Sequence, residues 1–290
     1  ECDFKDIDKV PSLNVNINKW IYSELVETKN KIEKNLEDYR FDEAAKNAYH
    51  FTWHTYCDWY LELSKTILFS DDSKVKKDEV KEVSTFVFKN ILILLHPFIP
   101  FFTEKVWQDF KFSSYFKKSL MFTDWDIKPK KIFKKSYNNI DWLIDLVTSI
   151  RSTKVDLNVP PGSFTDISTS DLSLKNVSII NDNLVVFKRL GRVKNVTNSK
   201  SDENGVKIIV GGETVTLYFD QSLDLNEQKQ KLSKKAKDLD IKITSIETKL
   251  KNKSFLKNAP KQIISRDKKA LLDYRTELKK LNSIINSIKN

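Results

Sequence analysis

"FDEAAKNAYHFTWHTYCDWYLELSK", Phe41 to Lys65, decides the fold. It has no glycine or proline, and six aromatics fall between Tyr49 and Tyr60. At helical spacing those aromatics lie on every side, the pattern of a central helix buried all round. Phe41, Ala45, Ala48, Phe51 and Trp59 are then expected to face several neighbouring helices. The charged residues Asp42, Glu43, Lys46, Asp58, Glu62 and Lys65 would form helix ends or polar pairs. Two other readings compete. His50 and His54 stand at i, i+4, the spacing that brings two imidazoles to one metal. A metalloprotease helix needs Glu directly after the first His, and here that residue is Phe51, so ordinary helix histidines are the expectation. Cys57 would serve a hydrolase only with a base nearby in the fold. Its neighbours Tyr56, Trp59, Tyr60 and Leu61 suggest a buried, inert thiol.

All five glycines (Gly162, Gly191, Gly205, Gly211, Gly212) lie between 162 and 212, and the flanks have none. Glycine weakens helix interiors, so the flanks read as long helices. The first helix is predicted to start near Asn18 as N-cap. The second is the opening stretch. A third runs from about Lys77 to Leu95, a short one follows with Thr103 as cap, and a last one covers Ile140 to Val155. Pro160-Pro161-Gly162 marks a junction. After it, "VKIIV" and "TVTLYF" flank Gly211-Gly212-Glu213, a tight-hairpin signature with one buried face per strand. "DNLVVFKRL" fits a covering helix.

From Leu225 the period changes to seven. Leu225, Leu232, Leu239 and Ile246 form one row, with Ala236, Ile243 and Leu250 between them. After "KNKSFLKNAPKQ", the row Ile264, Leu271, Leu278, Ile285 interleaves with Tyr274, Leu281 and Ile288. Two such runs predict an antiparallel coiled-coil hairpin. The fold class expected is mainly α: a helical bundle over 1–160, a small α/β unit over 161–220 and the hairpin over 221–290.

Residues 221–290 hold 18 lysines and arginines against 8 aspartates and glutamates, a surplus of 10 that equals the whole chain's net charge. A basic tail on a neutral body suits a polyanion such as nucleic acid. Lysine outnumbers arginine 44 to 6, so part of the surplus could be compositional. The most apolar run, "NILILLHPFIPFF", is broken by His96, Pro97 and Pro100. It is shorter than the ~18 to 20 residues of a membrane span. Two cysteines make neither a disulfide framework nor a four-thiolate zinc site, which suits a reducing, cytoplasmic setting. The sequence opens on Glu1 without a signal-peptide pattern and has one Met, Met121, so a piece of a longer chain is expected. No glycine-rich phosphate loop is present.

The stretch "RFDEAAKNAYHFTWHTYCDWYLELSK" resembles the anticodon-binding bundle of bacterial valyl-tRNA synthetases. "LHPFIPFFTEKVW" (Leu95 to Trp107) is similar to the family's next signature. "IRSTKVDLNVPPG" is similar to its Ile-Arg-x-x-Arg helix and proline stretch, with Lys154 standing where arginine is expected. "KLKNKSFLKNAP" resembles the connector of its C-terminal coiled coil. The resemblance spans nearly the whole chain in the family's order. It implies the C-terminal, tRNA-binding part of a class I synthetase that joins valine to tRNA(Val) with ATP and magnesium. The catalytic and editing domains would lie elsewhere, and this part would need no cofactor, metal or membrane and act as a monomer. Sister enzymes for isoleucine and leucine share the bundle, while the "CDWYLELSK" string with the hairpin favours the valine enzyme. On this reading Lys19, Trp20 and Arg40, at or near helix ends, are candidates to meet the anticodon. Lys234, Lys235, Lys237, Lys242, Lys249, Lys251, Lys253 and Lys257 are candidates for the tRNA backbone. The alternative from another class is a helical and coiled-coil module that binds a protein partner.

Overall fold

The structure, a computed structural model, describes residues 9–125, 132–160, 162–199, 205–219, 225–252 and 261–288. It is mainly helical and divides at Ile144 into two compact units. The first unit holds α1 (Asn16–Glu37), α2 (Phe41–His50), a π-helical stretch (Phe51–Tyr60) and α3 (Leu61–Leu68). α4 (Lys74–Leu95), α5 (Pro100–Asp109), α6 (Phe112–Phe116) and a 3-10 turn (Leu120–Phe122) follow. α7 (Lys134–Asp156) begins in this unit and ends in the second.

The deciding stretch is helical but not uniformly α. From Phe51 to Tyr60 the turns are wide, closed by bonds such as Leu61 N–H to Tyr56 O, five residues back. This widening changes which aromatics share a face. In an α-helix, residues five apart diverge by about 140°; in a π-turn they align. Phe51, Tyr56 and Tyr60, spaced five and four, are therefore all buried. The expectation of a helix buried all round is corrected. Phe41, Tyr49 and Trp53 are more than half exposed, and Ala45 and Trp59 are half-buried. A 3.6-residue projection applied to a segment with wider turns assigns its faces wrongly.

A buried polar knot fixes the start of α1. Glu79 of α4 accepts at 2.9 Å from the backbone N–H groups of Asn14 and Val15 and from Asn18 Nδ2. Tyr60 OH donates to Asn18 Oδ1 at 2.8 Å. Asn18 thus lies inside the first turn as a bridge and is not the N-cap that the sequence suggested. A carboxylate from another helix satisfies amides at the helix entrance. Thr103, expected as a cap, is likewise buried inside α5, whose first residue is Pro100. Around the knot lies an apolar core that includes Ile21, Leu25, Val83, Val87 and Ile91.

In the second unit, β1 (Thr165–Ser168), α8 (Leu174–Asp182), α9 (Leu184–Gly191), β2 (Val193–Thr197), β3 (Val206–Val210) and β4 (Glu213–Tyr218) build a small α/β layer. The sheet order is β2-β1-β4-β3, with β1 parallel to β2 and antiparallel to β4. β3 and β4 form the predicted hairpin, with Gly211 and Gly212 at φ +59° and +85°. β1, β2 and α8 carry no clear period in sequence. Gly205 is obligatory before β3, because a Cβ there would lie 2.4 Å from Thr216 Cγ2.

α10 (Leu225–Lys251) and α11 (Lys261–Ser287) pair along the two heptad rows. Leu232, Ala236, Leu239, Ile243 and Leu281 are buried, with Tyr274, Leu278 and Ile285 packed beside them. Leu157, Val159, Val206 and Ile288 join the same apolar cluster, so the base of the coiled coil shares its core with β3.

Candidate nucleic-acid interface

The turn between α1 and α2 presents an unusual surface. α1 ends in a Schellman motif: Arg40 N–H bonds Asn35 O at 2.7 Å and Tyr39 N–H bonds Leu36 O at 3.1 Å. The left-handed position falls on Tyr39, at φ +57°, where glycine is the usual occupant. A bulky residue there costs about 1 to 2 kcal/mol. Tyr39 is 81% exposed, and its ring meets exposed Phe41 edge-on at 6.3 Å. Arg40 lies between them and is exposed. Two aromatic rings and a guanidinium at one helix turn can stack on and pair with unstacked bases.

Of the other anticodon candidates, Lys19 is half-buried in the first turn of α1. Trp20 is corrected: it is 2% exposed and its indole N–H donates to Asp141 Oδ1 at 2.8 Å. That ring belongs to the core and has no free face for a base. Its mixed neighbourhood, Lys19 before and Ile21 after, gave no warning. Sequence reasoning missed Tyr39 and Phe41 as surface groups. The signal available was the non-glycine break between two helical runs.

Exposed His50 and His54 have ring centroids 5.0 Å apart with the planes tilted by 52°, and His54 Nδ1 lies 3.1 Å from Asp58 Oδ2. Among the described residues no three His, Cys, Asp or Glu side chains come together as metal ligands. Cys57 lines an apolar groove of about 590 Å³ with Tyr56, Phe88, Phe110 and Phe112. Burial and then the Asp58 carboxylate push its thiol pKa up, which lowers its thiolate content. Cys2 lies outside the described residues.

On the hairpin, the eight candidate lysines fall into different settings. Lys234 and Lys237 line a groove of about 700 Å³ together with Lys229, Gln230 and Ser233. Lys229, Ser233 and Lys237 follow i, i+4, i+8, a visible outer stripe. Lys235 pairs with Glu277 at 2.9 Å and Lys249 with Asp267 at 2.7 Å, both across the two helices. Lys242 lies over the Tyr274 ring at 5.9 Å, and Lys251 is exposed. Lys253 and Lys257 lie outside the described residues. Lys229 Nζ also donates to Ile288 O at 3.4 Å. The exposed Lys234 and Lys237, beside an amide and a hydroxyl, suit phosphate oxygens, whereas Lys235 and Lys249 also hold the helices together.

A helical bundle with an exposed aromatic and basic turn, followed by a coiled-coil arm with a lysine-lined groove, defines a fold whose surfaces suit bases and backbone phosphates. Residues 18–168 match the anticodon-binding domain of tRNA ligase, and residues 224–289 match the valyl tRNA synthetase tRNA binding arm. The chain belongs to the anticodon-binding domain family of tRNA ligases. It is 48% identical to a valine–tRNA ligase of Pelagibacter ubique over 99% of its length, covering 33% of that protein. For the valine–tRNA ligases of Zymomonas mobilis and Agrobacterium fabrum the identities are 30% and 33%, over 98% and 90% of this chain and 32% and 28% of theirs. The chain thus spans about a third of the length of these relatives.

Proposed function

We propose that this chain is the tRNA-holding C-terminal portion of a valine–tRNA ligase and that it grips tRNA(Val) at two places. The bundle within 1–160 meets the anticodon through Arg40 and the Tyr39–Phe41 pair; Lys19 lies at the opposite end of α1, about 30 Å away, and does not share that contact. The arm within 221–290 meets backbone phosphates through the groove lined by Lys229, Lys234 and Lys237, with Lys242 and Lys251 as further contacts. The small α/β unit, 161–220, joins the two. The observation that carries this reading is the pairing, in one chain, of the aromatic-basic turn with the lysine groove.

Attachment of valine with ATP and magnesium would belong to the rest of such an enzyme. The residues here do not fit those groups: the glycines sit in the turn after the prolines, a helix end, a strand start and a hairpin turn, and none lies in a glycine-rich phosphate loop. No helix among the described residues is long and apolar enough to cross a membrane. The test is a filter-binding titration of the whole chain with a tRNA(Val) transcript, one with altered anticodon, and an unrelated tRNA. Tight binding with anticodon preference supports the reading. Absence of tRNA binding at low salt, with capture of a protein partner by the hairpin, would replace it with an interaction module.

A further inference from the structure

Lysine is this chain's default cation, yet three of its six arginines, Arg151, Arg189 and Arg192, gather at the end of α9. Arg151 Nε donates to Leu190 O at 3.0 Å. The buried ammonium of Lys154 donates to Ser163 O at 2.9 Å, Gly191 O at 3.1 Å and Arg192 O at 3.2 Å. The last carbonyls of a helix need donors and favour cations, and Lys154 with Arg151 meets that need. Lys154 also ties the strand-entry segment at Ser163 to the helix end. The next residue, Phe164, is 50% exposed, and the Arg192 guanidinium lies 5.9 Å from its ring centroid. Arg192 is itself left-handed, at φ +52°, and exposed, as is Arg189.

The carbonyls account for Lys154 and for Arg151 Nε. They do not account for Arg189, for the Arg192 side chain, or for an aromatic ring left half in water. Among the described residues no carboxylate pairs with Lys154, Arg189 or Arg192. Burial first, then the neighbouring charges of Arg192 and Arg151, pull the Lys154 pKa down to about 8.

We propose that Arg189, Arg192 and Phe164, with Lys154 as the positioning residue behind them, form an RNA-backbone site on the small α/β unit, separate from the turn and the arm. The guanidinium groups take phosphate oxygens bidentately, which lysine cannot do. The Phe164 face takes a base or sugar of the same strand. An acidic peptide would use the arginines but has no planar base for Phe164 to stack on. The proposal rests on the reading that this chain holds tRNA.

The experiment titrates the full chain with a tRNA(Val) transcript at several salt concentrations. Arg189→Gln/Arg192→Gln should weaken binding on the order of tenfold and lower the salt slope by about two, one per phosphate contact. Phe164→Ala should weaken binding with the slope unchanged, since stacking releases no counterion. Arg192→Lys should keep the slope and lose part of the affinity. These side chains are exposed, so circular dichroism should match the parent. If the double variant and Phe164→Ala bind as the parent does while Lys234→Glu/Lys237→Glu binds weakly, this site is refuted and the tRNA reading stands. If the parent chain binds no tRNA, both fall. If an acidic peptide competes at the arginines while tRNA affinity ignores them, the surface serves a protein and the proposal is overturned.

Discussion

The Glu79 carboxylate accepts a 2.9 Å hydrogen bond from the side-chain amide of Asn18, across 61 residues of sequence. The same oxygen takes the N–H groups of Asn14 and Val15. Glu79→Leu leaves these three donors without their acceptor in a site only 7% exposed. The expected loss is about 2 to 3 kcal/mol of bundle stability, read by urea unfolding. Glu79→Gln keeps an acceptor oxygen and should lose less. Equal stability of Glu79→Leu and the parent would show that the entrance of α1 is satisfied otherwise.

The tryptophans should separate by burial. Trp20→Ala removes a fully packed indole and its bond to Asp141, so a loss of about 3 to 5 kcal/mol is expected. Trp59, half-buried on the π-turn, should lose less than Trp20. Trp53, 55% exposed, should change stability by less than ~0.5 kcal/mol. Denaturation midpoints of the three variants test this order, and Trp53→Ala matching Trp20→Ala would contradict the assigned faces.

How legible this was in the sequence depended on the period. The heptad rows from Leu232 and Leu278 and the alternation of Val206, Ile208 and Val210 state their own partners, and the structure packs them so. The Phe41–Lys65 helix was legible as a helix, but its faces were not. The wide turns at Phe51–Tyr60, whose side chains reach Ser84 and Val80 of α4, leave no mark in residue type. Asn18 and Thr103 look like caps because their side chains cap well in general; here a tertiary partner, Glu79, claims Asn18, and Thr103 turns its hydroxyl back to Ile99 O, one turn earlier at the start of its own helix. Lys154 reads as another surface lysine until the fold brings three carbonyls to it. For the interface, charge indicated the arm, but only the chain's turn at Tyr39 reveals the second aromatic surface.

Tyr39 holds a conformation that glycine adopts freely. Tyr39→Gly should therefore leave stability unchanged or raise it by up to about 1 kcal/mol. It should also weaken binding of tRNA(Val), if the exposed ring stacks on a base. Thermal unfolding and tRNA titration of one variant provide both readings. A destabilised Tyr39→Gly with parental affinity would mean the ring serves the fold alone.

Lys154 gives the second unit a signed pH response. Its pKa lies at about 8 in the folded chain, lowered from 10.5. Below pH 8 both folded and unfolded chains carry the proton, so its contribution is flat. Between 8 and 10.5 the unfolded chain binds more protons, and stability rises with pH. Tyr60, in the first unit, acts in the opposite sense: burial raises its phenol pKa well above 10, so stability there falls once pH passes 10. Amide exchange at Thr165 and Thr169, corrected for intrinsic rates, should show slower opening at pH 9 than at pH 7.5. Lys154→Met should abolish that difference. Opening that quickens with pH in the parent would mean the carbonyl cage holds the ammonium more strongly than burial and the arginines oppose it.

The arm's lysines should divide by what each touches. Lys229, Lys234 and Lys237 line the groove, so Lys234→Glu/Lys237→Glu should weaken every tRNA about equally and lower the salt slope by about two. Helicity should persist, because Leu232, Ala236, Leu239 and Ile243 keep the seam. Lys235 and Lys249 instead face Glu277 and Asp267 on α11. Lys249→Glu opposes like charges at a site where Asp267 is nearly buried, so the hairpin should lose stability. Lys235→Glu breaks a more exposed pair and should lose less than about 1 kcal/mol. Binding and melting of the three variants, measured side by side, test the division. A parental salt slope in Lys234→Glu/Lys237→Glu would show that the groove meets no phosphate and that the basic surplus reflects composition.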